Sequence, residues 1–341
     1  MDLSDSIKQK ALDIGFDLVG ITSADPIDKS HIAHLNDWLA LGCAGRMDYM
    51  KRNLEKRINP AKLLQNARSV ICVGLNYKPP SSLRGRLVLR SLGEGGRPKQ
   101  SHPHYTSPTA KIANYAQYED YHLFIKKQLH KLADFISSLV TGQASPARRE
   151  DDFKFKICVD SAPIAERALA ARAGLGFIGK NRMLINPRLG LQILLGEIIT
   201  TLKLKTDEPI ADTCSACNKC IEACPTAALA PGGRLDANKC ISYLTIEYKD
   251  QIPADLAEKI GAHLFGCDEC LLACPYNDSA PVCKNANFIF YSDRAFVDLK
   301  NILEMTEHQF NIEFADSPIK RLGFDLLKRN AQICLDNSAK R

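Results

Sequence analysis

The chain has 341 residues, 45% hydrophobic and 25% charged, with a net charge of +6. That is an ordinary globular composition, long enough for two domains and a helical tail, and it excludes a disordered chain. Thirteen cysteines would suit a secreted disulfide protein, but eight fall into ligand-like runs and the other five (Cys43, Cys72, Cys158, Cys283, Cys334) are scattered, which points to a reducing compartment.

Residues 3–15 predict a helix without the apolar core of a signal peptide. No apolar run reaches membrane-spanning length, so a soluble, cytoplasmic protein is expected. DLVGIT (17–22) predicts a strand, residues 30–42 a helix around Trp38, and RSVICVGLNY (68–77) a buried strand ended by Pro79 and Pro80. Residues 81–108 are rich in Gly, Ser, Pro and Arg and predict a loop; its His102 and His104 have the polar setting of solvated side chains. A helix follows over 118–140. FKFKICV (153–159) predicts a strand, Asp160 to Pro163 a turn, and a helix starts near Pro163 and stops at Gly174 and Gly176. LQILLGEIITTL (191–202) predicts a further strand. The order implies an α/β fold with a buried sheet. The basic charge is uneven: residues 46–68, 84–99 and 317–341 carry net +5, +4 and +4, leaving the remainder at −7. That is either a nucleic-acid footprint or three solvated faces.

The strongest pattern lies between Cys214 and Cys274. CSACNKCIEACP places Cys214, Cys217, Cys220 and Cys224 before Pro225, the C-x2-C-x2-C-x3-C-P run of two-cluster ferredoxins. Cys240 follows, then CDECLLACP with Cys267, Cys270 and Cys274. In this pattern the fourth cysteine crosses to the other cluster, so Cys214, Cys217, Cys220 and Cys274 are expected around one 4Fe–4S cluster and Cys224, Cys240, Cys267 and Cys270 around the second. Structural zinc and disulfides are the alternatives, and neither needs the C-x3-C-P ending. Two clusters imply electron transfer without naming the acceptor.

Asp160 stands at the end of a predicted strand, before a helix, where α/β sheets bind ligands. A desolvating apolar cofactor would raise its pKa and make it a proton donor; a helix-capping turn residue is the other reading. VDSAPIAERALAARAGLGFIGKN, the two cysteine runs and CISYLTIE (240–247) resemble the epoxyqueuosine reductases, cobalamin-dependent iron–sulfur enzymes that complete queuosine on tRNA. The resemblance extends from GFDLVGIT (15–22) to PIKRLGFDLLKRN (318–330).

The resemblance implies an α/β cobalamin-binding N-terminal domain (1–206), a two-cluster ferredoxin-like domain (207–290) and a short helical basic C-terminal tail (291–341). It implies Asp160 as proton donor, two 4Fe–4S clusters and cobalamin. The D-x-H-x-x-G motif of a histidine lower ligand is matched only by Asp120-Tyr121-His122, with Ile125 where glycine should stand, so base-off cobalamin is expected. Tyr121, His122, Glu166 and Arg167 are candidates for the cobalamin or substrate pocket, Glu166 and Arg167 equally for a surface ion pair. The implied partners are an epoxyqueuosine-bearing tRNA anticodon stem-loop and an electron donor of flavodoxin or ferredoxin type, with no membrane. Lys320, Arg321, Lys328 and Arg329 are tRNA-contact candidates, spaced to share one helix face. In ANYAQYEDYH (113–122), Asn114 replaces a family arginine and Tyr118 a family glycine, which bears on cofactor or substrate affinity. A reductive dehalogenase, a pure electron carrier and a non-catalytic RNA-binding module are the competing functions. The first is usually exported behind a signal absent here, the second leaves some two hundred residues unexplained, and the third does not need redox clusters.

Overall fold

The computed structural model describes residues 2–80, 108–142, 153–214 and 216–340. Nearly all of the loop expected at 81–108, with His102 and His104, lies outside them.

Four strands form the main sheet: β1 (Leu18–Ser23), β2 (Ser69–Asn76), β4 (Phe155–Cys158) and β7 (Ile193–Thr200), in the order β1-β2-β7-β4. Every pairing in it is antiparallel. The open parallel sheet behind the ligand-edge argument for Asp160 is therefore not what forms. Continuous apolar strands are typical of parallel sheets, but they report only that both faces are covered, and here helices cover both faces of an antiparallel sheet. Strand alternation divides the core. Ile71, Val73 and Leu75 face α1 (Leu3–Ile14) and α4 (Tyr121–Gly142), together with Ile7, Ile125 and Leu129. Val70, Cys72, Cys158 and Ile199 face α5 (Glu166–Arg172) with Leu169. Gly196 lets α4 approach β7: a Cβ there would stand 2.7 Å from Ile125 and 3.0 Å from Leu129.

α5 starts at Glu166, not near Pro163. Asp160 is left-handed (φ 53°) and Ile164 N–H bonds the Ala162 carbonyl, so residues 160–164 form a tight turn that delays the helix.

A second sheet has the order β8-β3-β9, with β3 (Thr109–Ile112), β8 (His263–Phe265) and β9 (Phe296–Asp298). These strands of three or four residues are too short to show a period. Around them pack α7 (Ile241–Ile246), α10 (Leu299–Glu304) and α12 (Phe324–Ala339) in one core with Ile112, Leu264, Phe265, Leu299, Leu327 and Cys334. The C-terminal stretch is helical as expected, but it is docked rather than trailing. Buried Asn330 donates to the carbonyls of Thr245 and Leu264, and Asn337 to those of Ala257 and Gly261.

Candidate active site

Asp160 stands two residues past the end of β4 and turns into the site in a conformation few non-glycine residues adopt. Its Oδ2 lies 2.9 Å from His122 Nε2. His122 occupies the first turn of α4. Asp120, just before that helix, accepts the His122 backbone N–H at 3.0 Å and holds Nδ1 at 2.6 Å. One carboxylate thus caps the helix and orients the ring. Arg321 closes the group, with Nη1 2.9 Å from His122 Nε2 and Nη2 3.5 Å from Asp120 Oδ2. The His122 side chain is only 10% exposed and that of Asp160 55%, so Asp160 is the member a substrate can reach.

Burial alone would raise the Asp160 carboxyl, but His122, the Tyr121 hydroxyl and Arg321 outweigh it and hold Asp160 below the usual range. This is the reverse of the direction that desolvation suggested from sequence. Asp120 is likewise held low, against burial, by its hydrogen bonds and charge pairing with His122. Burial opposes the charged form of His122, yet its two carboxylate partners raise its pKa. Charged, the ring donates from Nε2 to Asp160. Neutral, with its proton on Nδ1, it can accept from Arg321 or from a protonated Asp160. The pair can therefore share a proton and pass it to the exposed member.

Glu166 Oε1 accepts the backbone N–H of Asp160 and so fastens the turn. Arg167 is exposed and donates to the Arg182 carbonyl at 2.8 Å, so the two do not form the surface ion pair considered from sequence. Tyr121 stacks on the His122 ring with centroids 3.9 Å apart. Tyr115 meets Tyr121 edge-on at 6.0 Å and Tyr77 at 6.5 Å. This aromatic wall, buried at Tyr77 and partly exposed at Tyr115 and Tyr121, runs from Asp160 to Asp268, and Tyr115 feels both carboxylates. Asp268, between Cys267 and Cys270, accepts the Asn114 N–H at 2.7 Å. Tyr118 is buried and stacks on Phe288 at 4.6 Å. It fills space beside the site rather than entering it.

Three groups near Asp160 escaped the sequence reading: Tyr49, Arg57 and Glu247. Burial, then Glu247 and Asp160, push Tyr49 up to about 12. Burial, then Asp160, raise Glu247. Arg57 Nε is buried without a hydrogen-bond partner, beside Tyr49, Glu166 and Asp160. No local motif marks them, because the fold alone brings them together.

The cysteine thiols form two neighbourhoods. Cys274 stands with Cys214, Cys217 and Cys220; Cys270 stands with Cys267, Cys240 and Cys224. None is in a disulfide. The two runs contain matching short helices, α6 (Lys219–Glu222) and α9 (Glu269–Leu272), which pack together. Among the described residues no three His, Cys, Asp or Glu converge on a single metal ion. Burial pushes Cys267 up to about 12 and raises Cys270 further, so bound iron would be what holds them as thiolates. The GKN stretch ties both runs to the hairpin of β5 (Phe177–Ile178) and β6 (Leu184–Ile185). Lys180 Nζ donates to the Cys217 carbonyl at 3.0 Å, and Asn181 Nδ2 to that of Cys270 at 3.2 Å.

The basic pairs do not share a helix face. Lys320 and Arg321 end a 3-10 turn (Pro318–Arg321), and Gly323, at φ 89°, separates it from α12. Arg321 belongs to the His122 site. Arg329 is committed to the carbonyls of Leu244, Tyr248 and Asp250 at 2.9, 2.6 and 2.7 Å. Lys320 is exposed, and the Lys328 ammonium lies over the Phe324 ring at 4.6 Å.

Residues 213–277 match the family described as a 4Fe-4S double cluster binding domain, so the chain carries a domain of that kind. Residues 57–161 match the family described as epoxyqueuosine reductase QueG, DUF1730. An epoxyqueuosine reductase from Pseudomonas aeruginosa is 35% identical over 98% of this chain and 86% of its own length. A crystal structure of epoxyqueuosine reductase with an epoxyqueuosine-modified tRNA-Tyr stem loop superposes with a TM-score of 0.83 at 30% identity, covering 98% of this chain and 81% of that one. A Bacillus subtilis epoxyqueuosine reductase, described with an aspartate catalytic loop swung out of the active site, gives 0.81 at 29% identity, with coverages of 98% and 81%. Identity at this level along almost the whole chain, over the site just described, makes this protein a member of the epoxyqueuosine reductase family.

Proposed function

We propose that the chain reduces epoxyqueuosine to queuosine in the anticodon loop of tRNA, with Asp160 as proton donor. The observation that carries this is an exposed carboxyl backed by a proton-sharing histidine, with an aromatic wall running from it to the cysteine-rich domain. The reaction takes two electrons and two protons. The epoxide carbon–oxygen bonds break, the oxygen leaves as water, and a carbon–carbon double bond remains. Asp160 gives a proton to the oxygen as the first bond opens, and His122, held by Asp120, replaces it. Arg321 keeps the ring in place and screens the carboxylates.

No side chain supplies hydride or low-potential electrons, so cofactors must. The orphaned Arg57 Nε and the Tyr77, Tyr115 and Tyr121 wall fit a large, flat cofactor fringed with amides, and these residues would hold cobalamin. When bound, cobalamin supplies the strongly reducing electron pair. Both ring nitrogens of His122 are already engaged, which supports base-off binding. The two cysteine quartets would hold 4Fe–4S clusters able to pass single electrons from a flavodoxin- or ferredoxin-type donor.

The target base would be flipped out of the anticodon loop, as reactive bases are. Lys320 and Lys328 remain candidates for the phosphate path, whereas Arg321 and Arg329 serve the site and the α7 end. The function is tested by adding cobalamin, reductant and protein to tRNA from cells lacking this activity. Nucleoside mass spectrometry should show epoxyqueuosine converted to queuosine; unchanged epoxyqueuosine would refute the assignment.

A further inference from the structure

A carboxyl outside the site lies directly behind it. Glu197 sits in the middle of β7 with no exposed surface. In the sheet register it stands between Cys72 of β2 and Cys158 of β4, and this row faces α5. A charged side chain at such a position costs several kcal/mol unless it is paired or neutral. The charged groups acting on it are Glu166 and Asp160, both acidic. Neither Glu197 oxygen meets a donor, and the side chain acting on it as a hydrogen-bonding neighbour is the Glu166 carboxyl, at the start of the helix this row faces. Two carboxylates cannot hydrogen-bond each other, because both only accept. One proton between them supplies the missing donor and removes one buried charge.

We infer that Glu197 and Glu166 share a single proton, and that this proton fixes the turn presenting Asp160. Protonated Glu197 donates to Glu166, which leaves Glu166 able to accept the Asp160 N–H with its Oε1. The left-handed Asp160 backbone is then held from below. Burial raises both carboxyls above their ordinary range; the Asp160 charge adds to the rise at Glu166, and the Glu166 and Asp160 charges add to it at Glu197. The cations near this group, Arg57, Arg167 and His122, act on Glu166 rather than Glu197. Cys72 and Cys158 stay neutral, since burial raises both and Glu197 adds to it. Losing the shared proton would set two buried carboxylates against each other and loosen the turn. Glu197 is thus a positioning residue, and this inference rests on Asp160 being the acid.

The test pairs infrared spectroscopy with kinetics on anaerobically purified protein. Wild type near neutral pH should show a protonated-carboxyl stretch that shifts in D2O, disappears in Glu197→Gln and survives in Asp160→Asn. Glu197→Ala should lose turnover on the order of 10- to 100-fold at unchanged KM for the stem-loop, the scale of a misplaced catalytic group. Glu197→Gln keeps a donor that does not titrate. It should restore most of that turnover and remove the fall of wild-type turnover with rising pH caused by loss of the shared proton. If wild type shows no carboxyl band lost in Glu197→Gln, or if Glu197→Gln is as slow as Glu197→Ala, the inference is wrong; the band decides even if Glu197→Ala fails to fold. Full turnover in Asp160→Asn with the band intact would instead remove the acid role of Asp160 and leave the shared proton standing.

Discussion

The cysteine runs and the Asp160–His122 group sit in adjoining parts of the molecule but are held in opposite ways. Seven of the eight cysteines come from two short runs, each folded around a single helical turn and steadied by Lys180 and Asn181. Asp160 depends on side chains spread from Asp120 to Arg321, and none of its partners is fixed by spacing alone. A metal cluster asks for several identical donors around one point, which a short loop can deliver. A tuned carboxyl asks for unlike groups at set distances, which only a folded core can deliver. Damage should therefore be all-or-none in the first region and graded in the second.

The largest expected effect is in the cysteine region. Cys224→Ala should lower iron from about eight to about four per chain and abolish turnover, with the loss in the cluster held by Cys240, Cys267 and Cys270. Loss of the Cys214, Cys217 and Cys220 cluster in its place, resolved by EPR of the reduced protein, would break the crossed pairing. Next comes Tyr118, which packs on Phe288. Tyr118→Ala should cost roughly 3–5 kcal/mol in denaturant unfolding, the usual scale for emptying an aromatic site. If it instead weakens tRNA binding at full stability, Tyr118 belongs to the pocket.

This contrast also sets what could be read without the fold. The cysteine runs stood out by their spacing, continuous apolar runs placed β2 and β7, and amphipathic patterns placed α1 and α4, to within a few residues. Strand direction was not legible, because Ile71, Val73 and Leu75 would be buried in either sense. Nor were β3, β8 and β9, which are shorter than a readable pattern. Glu197 hid inside an apolar strand, where GEII reads as core. The expected Lys320–Arg329 stripe failed at Gly323, since a spacing of eight matters only if one helix spans it. His122 and Asp120 were visible as the ends of the Asp120-Tyr121-His122 stretch, but not their grip on Asp160.

A smaller effect tests the grading. His122 has a raised pKa, so its ion pairing contributes fully below its ordinary value and is lost as pH rises through the folded one; Asp120, held low, loses its share as pH falls through its own. His122→Asn should therefore cost about 1.5–3 kcal/mol near about pH 5.5, and less in alkali, as hydrogen bonds to charged groups predict. A pH-independent difference in denaturation midpoints would mean the ring packs but does not pair. Smallest is the surface term. Lys320→Ala and Lys328→Ala should each lower the slope of log affinity against log salt for a stem-loop by about one unit or less. Unchanged slopes would take both lysines out of the phosphate path.

The account turns on Asp160 as the group that protonates the leaving oxygen. Asp160→Asn preserves shape and removes the transferable proton. Single-turnover conversion of epoxyqueuosine stem-loop by pre-reduced, fully loaded protein measures that step directly. The variant should keep its iron, its cobalamin and its stem-loop affinity while its rate falls by about 100-fold or more. A rate near wild type would contradict the account and leave Asp160 a residue of the turn.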